Sequence, residues 1–334
     1  MILIRADANE FIGSGHVMRC KSIASALSDK GAEVAFITAD HRGDSLIGGF
    51  PSFCLNSDWL NMNDELPKLY EIIRAKKPSL ILIDSYKVTE KYFDALHGLT
   101  KTAYIDDLNA GLWDVDILIN YNIFSRSYDY SRYDGKITQL LLGTSYVPLR
   151  DEFKLLRPHV IREKISDVLI SAGGSDPAMM TEKIIGRVCP EFPGVNFHFV
   201  IGALNPRIES IRKISRQNII LHVNERNMSK LMRDCDVAVS AAGSTLYELC
   251  ACGTPSVTYV LADNQTDAAE MFGTLGVMIN AGDCRNRDDI CPVIIESLRG
   301  MNESVRAEMS AKMQRLVDGN GVGRIADVIM RVIE

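Results

Sequence analysis

Several things are scarce in this 334-residue sequence, and each scarcity closes off a class of protein. No apolar run approaches the roughly 20 residues that span a bilayer. The opening MILIRAD reaches charge at Arg5 and Asp7 with no basic lead and no small-residue cleavage site, which argues against a secretory leader. Positive charge is not in excess: 37 Lys and Arg stand against 43 Asp and Glu, a formal net charge of -6, so no basic stripe is expected for a nucleic-acid backbone. The eight cysteines (Cys20, Cys54, Cys189, Cys235, Cys250, Cys252, Cys284, Cys291) include no C-x-x-C pair and no zinc-spaced Cys/His cluster. They read as reduced thiols in a cytoplasmic protein. Low-complexity tracts and short-period repeats are missing too. What remains is a composition of 46% hydrophobic and 24% charged residues, which excludes disorder and is long enough for two ordinary domains.

The chain shows a rhythm of short β-branched runs separated by helical patterns. MILIRA, EVAFIT, SLILID, TAYID and DILIN fill the first part; DVLISAGG, FHFVIG, NIILHV, DVAVSAAG and PSVTYV fill the second. Strands alternating with helices predict parallel sheets covered on both faces. Between them GTSYVPLRDEFKLLRPHV, about residues 143 to 160, breaks the rhythm with Pro148 and Pro158. The expected organisation is therefore a domain over residues 1–150 and a second, doubly wound one over residues 151–334. The second ends in two helices separated by Gly319 to Gly323. Two such α/β domains facing across a cleft make a GT-B-like architecture, with sites at the carboxyl ends of the strands.

Glycines recur where strands hand over to helices, and first-turn amides have no partner inside a helix, so such turns suit anions. In SAGGSDP, Gly173 and Gly174 permit close approach, Ser175 or Asp176 can cap, and Pro177 suits the first helical position; the plain alternative is a clean helix start. In AAGSTLYEL, Gly243, Ser244 and Thr245 offer amides, and Thr245 with Glu248 has capping-box spacing. Glu248 either returns a hydrogen bond to its own helix or accepts two ribose hydroxyls. Asn264 and Gln265 in ADNQTDAAE open another helix with the same ambiguity.

The first loop is unusual in its histidine. In GSGHVMRC, Gly13 and Gly15 leave His16 uncovered in the first turn of a helix, where the positive dipole end disfavours imidazolium. A neutral ring there can act as a base; the alternative is a packing histidine, the better reading for His41, His97, His159, His198 and His222. Arg19, one turn on, can hold a phosphate or a carboxylate. Asp84, Ser85 and Tyr86 in LILIDSY, and Asp106 with Asp107 in AYIDDL, end strands that point to the same crevice. No third ligand accompanies the aspartate pair, so no metal is expected. The loop also lacks the third glycine of a dinucleotide fingerprint, so neither is a nicotinamide cofactor.

In this order IGSGHVMR, IDSY, IDD, VPLRDEF, GGSDP, AAGSTLYE and ADNQ resemble the UDP-2,4-diacetamido-2,4,6-trideoxy-β-L-altropyranose hydrolases of pseudaminic acid biosynthesis, whose wider relatives are MurG-like GT-B glycosyltransferases. The resemblance covers about residues 1 to 280. It implies two Rossmann-like domains, UDP bound chiefly by the second, and no cofactor. It makes His16 the general base that activates water and Tyr86 a sugar contact. It sets Gly174 and Ser175 by the diphosphate, Glu248 on the ribose, and Asn264 with Gln265 by the nucleotide or sugar. Gly13, Gly15, Arg19, Asp84, Gly173, Gly243, Ser244 and Thr245 complete the expected substrate-binding set. UDP leaves as a stable anion, so one base facing an anion cradle suffices, without the carboxylate pair of ordinary glycosidases. The rival readings are a glycosyltransferase with a sugar hydroxyl in place of water, and a nucleotide-sugar-binding protein without catalysis.

Overall fold

A computed structural model describes residues 1–334 except 10, 110, 203, 204, 215, 216, 287 and 288. The chain divides into two compact units, one of Met1–Asp151 with Asn320–Glu334 and one of Glu152–Gly319.

Among the described residues, the first unit has seven parallel strands: β1 Ile2–Ala6, β2 Val34–Thr38, β3 Ser52–Cys54, β4 Leu80–Asp84, β5 Lys101–Ile105, β6 Ile117–Asn120 and β7 Gln139–Leu142, in the order β3-β2-β1-β4-β5-β6-β7. The second has β8 Asp167–Ser171, β9 Asn196–Ile201, β10 Ile219–Val223, β11 Val237–Ala241, β12 Ser256–Val260 and β13 Ile279–Asp283, in the order β10-β9-β8-β11-β12-β13. Both are doubly wound, and each reverses direction once, between its first and fourth strands. The runs read as strands are buried along their whole length in β1, β2, β4, β11 and β12, because helices cover both faces of a parallel sheet. Even Arg5 in β1 is fully buried. Its guanidinium is matched by Glu65 (2.8 Å to each oxygen) and by Asp7 (2.6 Å).

Two expectations need correction. The segment after residue 151 does not all belong to the second unit: the last helix, Gly321–Ile333, returns to the first. Its apolar stripe of Val322, Ile325 and Ile329 is buried, and Gly321 lies so close to Val147 that a Cβ there would sit 2.1 Å from the Val147 carbonyl oxygen. The second correction concerns SAGGSDP, whose helix begins at Met180 and not at Pro177. Asp176 adopts φ +45° and reaches forward to cap it, accepting from the amides of Met180 (2.8 Å) and Thr181 (3.0 Å). The Gly173 and Gly174 amides therefore belong to a long exposed loop and not to a helical first turn.

The tyrosine-rich segment 121–135 is packed. Tyr121, Phe124, Tyr130 and Tyr133 are buried, with the Tyr133 hydroxyl accepting from the Trp113 amide and the Tyr130 hydroxyl from Asn120.

Candidate functional site

In the first unit the strand order reverses between β1 and β4, and the residues following these two strands meet. Asn9 shapes the first loop: its side-chain oxygen accepts from the amides of Phe11 (2.9 Å) and Ile12 (3.0 Å), and its carbonyl from Gly13 (2.8 Å). Gly13, at φ +72°, turns the chain so that the Gly15–Asp29 helix begins with His16 in its first turn. No side chain crowds Gly15, but the expectation of an uncovered histidine needs correction: His16 is only 7% exposed, its ring lying against Tyr86 and Asp84.

His16 contacts Asp84, at the end of β4, through Nδ1 at 2.6 Å from Oδ1. Burial alone would push the Asp84 carboxyl up, but the charges of Arg19 and His16 hold it well below the ordinary carboxylate range. It is therefore ionised and accepts only, so Nδ1 donates to it at 2.6 Å, nearer than the 3.1 Å to Arg19 Nη2, and when the ring is neutral Nε2 is the proton acceptor. Arg19 grips the same carboxylate, Nη2 to Oδ1 at 2.5 Å and Nε to Oδ2 at 2.6 Å, while its Nη1 reaches Asp107 at 2.7 Å and the Tyr121 hydroxyl. Asp107 in turn accepts from the Tyr86 hydroxyl (2.9 Å) and from Asn122 (3.3 Å). The Tyr86 ring packs edge-on against His16 with centroids 4.8 Å apart, and 42% of the residue is exposed. Burial and the Asp107 charge push the Tyr86 hydroxyl up, so it stays protonated.

His16, Arg19, Asp84 and Tyr86 are thus brought together, with roles that differ from those expected for two of them. Asp84 is 1% exposed, and both its oxygens are engaged within the protein; Arg19 is committed to Asp84, Asp107 and Tyr121. They fix the histidine and leave no free edge for a ligand. Asp107, Tyr121 and Asn122 complete the network; Asp107 stood out at a strand end, Tyr121 only as part of a tyrosine-rich stretch that reads equally as a surface loop or a lid, and Asn122 not at all. Asp106 is a structural residue that accepts from Trp113 Nε1 and from the amides of Leu108 and Asn109. Among the described residues no group of three His, Cys, Asp or Glu is placed to hold a metal ion.

The second unit reverses between β8 and β11, and the two glycine loops follow these strands. Gly173 (φ +81°), Gly174 and Ser175 are exposed, and Gly173 and Gly174 have open space around them. Gly202, at the end of β9, was not singled out from the sequence. A Cβ there would lie 2.5 Å from the Gly174 carbonyl oxygen, so a glycine is required for the loop to rest where it does. After β11, Ser244 precedes the Thr245–Cys252 helix in a helical conformation and makes no side-chain cap. Thr245 is therefore the first helical residue and not its cap. Glu248 is half-buried in the first turn of this helix. Gln265 adjoins the loop: its Oε1 accepts from the Leu261 amide (2.8 Å), and its Nε2 lies 3.9 Å from where a Gly243 Cβ would stand. Asn264 is exposed in the same turn, directly before the Thr266–Thr274 helix. Within this unit, the loops after β8 and β11 thus flank the strand-order reversal where open α/β sheets bind ligands.

The fold is the GT-B fold of nucleotide-sugar glycosyltransferases. The structure of Acinetobacter baumannii MurG superposes with a TM-score of 0.70 at 14% identity, covering 99% of each chain. The spinosyn rhamnosyltransferase SpnG does so at 0.69 and 14%, covering 98% of this chain and 99% of that one. In sequence, no family model matches. The chain is 25% identical over 350 residues to the spore coat polysaccharide biosynthesis protein SpsG of Bacillus subtilis, covering 99% of this chain and 98% of that protein. It is 29% identical over 278 residues to the pseudaminic acid cytidylyltransferase and UDP-2,4-diacetamido-2,4,6-trideoxy-β-L-altropyranose hydrolase of Helicobacter pylori, 79% of this chain but 45% of that longer protein. To the Campylobacter jejuni hydrolase of the same name it is 26% identical over 255 residues, 74% and 86% of the two chains. The resemblance read from the motifs is thus matched by these relatives. Among the described residues no helix is long and apolar enough to cross a membrane.

Proposed function

We propose that this chain hydrolyses a UDP-linked diacetamido-trideoxy sugar to free sugar and UDP, as a step of pseudaminic acid biosynthesis. The observation that carries the reading is the 2.6 Å contact of His16 Nδ1 with an ionised, buried Asp84, which leaves Nε2 as the acceptor of a proton. Water attacks the anomeric carbon as His16 Nε2 takes its proton. The bond from that carbon to the UDP oxygen breaks, UDP leaves as an anion, and the configuration inverts. Asp84 holds the imidazole and favours the imidazolium that forms, with Arg19 keeping Asp84 ionised and in register. Gly13 and Gly15 keep the loop before His16 free of side chains, and Tyr86, whose hydroxyl proton goes to Asp107, offers the sugar its exposed ring and its hydroxyl oxygen as an acceptor.

The second unit supplies the nucleotide site in this proposal. Gly173, Gly174, Ser175 and the amides of Gly243, Ser244 and Thr245 take the diphosphate. Glu248 accepts the ribose hydroxyls, and Asn264 with Gln265 border the nucleotide or the sugar. The experiment is incubation with UDP-activated N-acetylated deoxy-sugars and no acceptor, followed by proton NMR. Release of UDP with a free sugar of inverted anomeric configuration is expected. A second reading, transfer to a sugar hydroxyl, draws support from the glycosyltransferase fold neighbours. Turnover that requires an added acceptor would replace hydrolysis with it.

A further inference from the structure

One exposed feature lies outside the machinery described. Phe11 is 74% exposed at the tip of the β1 loop, five positions before His16 in the same connection, and three hydrogen bonds onto Asn9 hold that tip in shape. Its ring stacks on Trp59, with centroids 6.5 Å apart and planes at 16°. Trp59 stands in the connection that follows β3, held by the turn in which the Leu60 amide donates to Asp58, and Leu60 beside it is 53% exposed. The loops after β1 and β3 both leave the carboxyl edge of the sheet, and β3-β2-β1-β4 is the strand order. His16 leans from β1 toward β4, whereas Phe11 leans from β1 toward β3. The fold thus keeps a nearly parallel pair of rings, Phe11 exposed and Trp59 half-buried, on the β3 side of the β1 loop, away from Tyr86. Exposed aromatic surface held rigidly beside a candidate site is a recognition feature.

We infer that the Phe11–Trp59 shelf is where the sugar's apolar substituents pack, so that it selects N-acetylated deoxy-sugars over more fully hydroxylated ones. Methyl groups of N-acetyl and 6-deoxy positions lose water against the rings at no polar cost. A hydroxyl in the same place gives up its hydration with no partner in return. This rests on the UDP-sugar reading above, but it is tested apart from it.

Trp59 and Trp113 are the two tryptophans of the chain, and Trp113 is buried with its Nε1 donating to Asp106, so ligand-dependent emission reports Trp59. Full-length protein is titrated with UDP, with a UDP-linked N-acetylated 6-deoxyhexose, with that hexose free, and with UDP-N-acetylglucosamine. Trp59→Leu serves as the spectral blank and Phe11→Ala as the functional variant. The inference expects emission to change with the deoxy UDP-sugar and with the free deoxy-sugar but not with UDP. It also expects Phe11→Ala to lower kcat/KM for the deoxy substrate about 10-fold relative to UDP-N-acetylglucosamine, with UDP affinity unchanged. Calorimetric binding of the deoxy UDP-sugar with no change in Trp59 emission, and unaltered preference in Phe11→Ala, would overturn the shelf while leaving hydrolysis standing. Failure of UDP and every UDP-sugar to bind would overturn the nucleotide-sugar reading instead, and the shelf would then be judged on the free deoxy-sugar alone, a silent titration counting against it.

Discussion

Asp84→Asn is the perturbation that separates a positioned base from a merely packed histidine. The carboxylate accepts from His16 Nδ1 (2.6 Å), from two nitrogens of Arg19 (2.5 and 2.6 Å) and from the Cys20 thiol (3.5 Å). An amide of the same shape keeps one acceptor and turns a donor either toward the Arg19 fork or toward His16. If the donor faces His16, the ring takes the other tautomer and Nε2 carries the proton; if it faces Arg19, the carbonyl still meets Nδ1, but without the charge that steadies the imidazolium. The loss of one charge-assisted hydrogen bond in the transition state is about 3 kcal/mol, on the order of 10²-fold in kcat. Affinity for UDP should not change. Stability should fall by about 3 kcal/mol, since Arg19 keeps Asp107 and Tyr121, or ~6–12 °C in melting temperature for a unit of this size.

The pH dependence has a definite sign. The folded-state titration of Asp84 lies below its unfolded value, so its contribution is complete above that value and is lost as pH falls below it. The gap in melting temperature between wild type and Asp84→Asn should therefore be constant above about pH 5 and close below about pH 4. The assay is UDP release together with calorimetric melting across pH. A kcat within threefold of wild type alongside the expected drop in stability would refute the reasoning, leaving Asp84 a scaffold residue only.

Gly202→Ala pushes a methyl into the Gly174 backbone, so UDP affinity should fall at least 10-fold with a stability loss of about 1–3 kcal/mol, measured by calorimetric titration and melting. Unchanged affinity would detach the Gly173–Gly174 loop from the nucleotide. Removal of residues 320–334 uncovers the core side of Val322, Ile325 and Ile329, and should lower the melting temperature of the first unit by more than 10 °C while the second unit melts as before. His159 is pushed down to about 4, first by burial and then by the positive charges of Arg233, Arg162 and Arg306, and neither ring nitrogen has a hydrogen-bond partner. A lowered histidine stabilises fully above about pH 6.5 and loses that contribution as pH falls toward 4, about 3 kcal/mol in all. His159→Leu should flatten the melting curve of the protein over that window, and an unaltered slope would count against it.

The strand rhythm was legible because buried parallel strands are written as short, uniformly apolar runs, and the candidate base was legible because two glycines precede His16 at a strand-to-helix turn, although the folded ring is buried. Other features were hidden for particular reasons. Sixty-eight residues separate His16 from Asp84, and a strand-end aspartate looks the same whether it faces a ligand or a histidine. The Gly321–Ile333 helix announces an apolar stripe but not which sheet receives it. In SAGGSDP the order Ser, Asp, Pro spells a helix start that Asp176 overrides by taking a left-handed turn and capping four residues on. Thr245 and Glu248 have capping-box spacing, yet Ser244 precedes the helix and Thr245 is its first residue. Gly202 ends a strand like many glycines, and only the approach of the Gly174 carbonyl gives it meaning.

The most direct measurement is single-turnover hydrolysis of the UDP-linked diacetamido sugar by His16→Gln and wild type, with UDP affinity determined in parallel. The account predicts that UDP binds both proteins equally while hydrolysis falls by about 10³-fold in the variant. Hydrolysis retained within a few fold of wild type would contradict it, because water would then be activated by some other group.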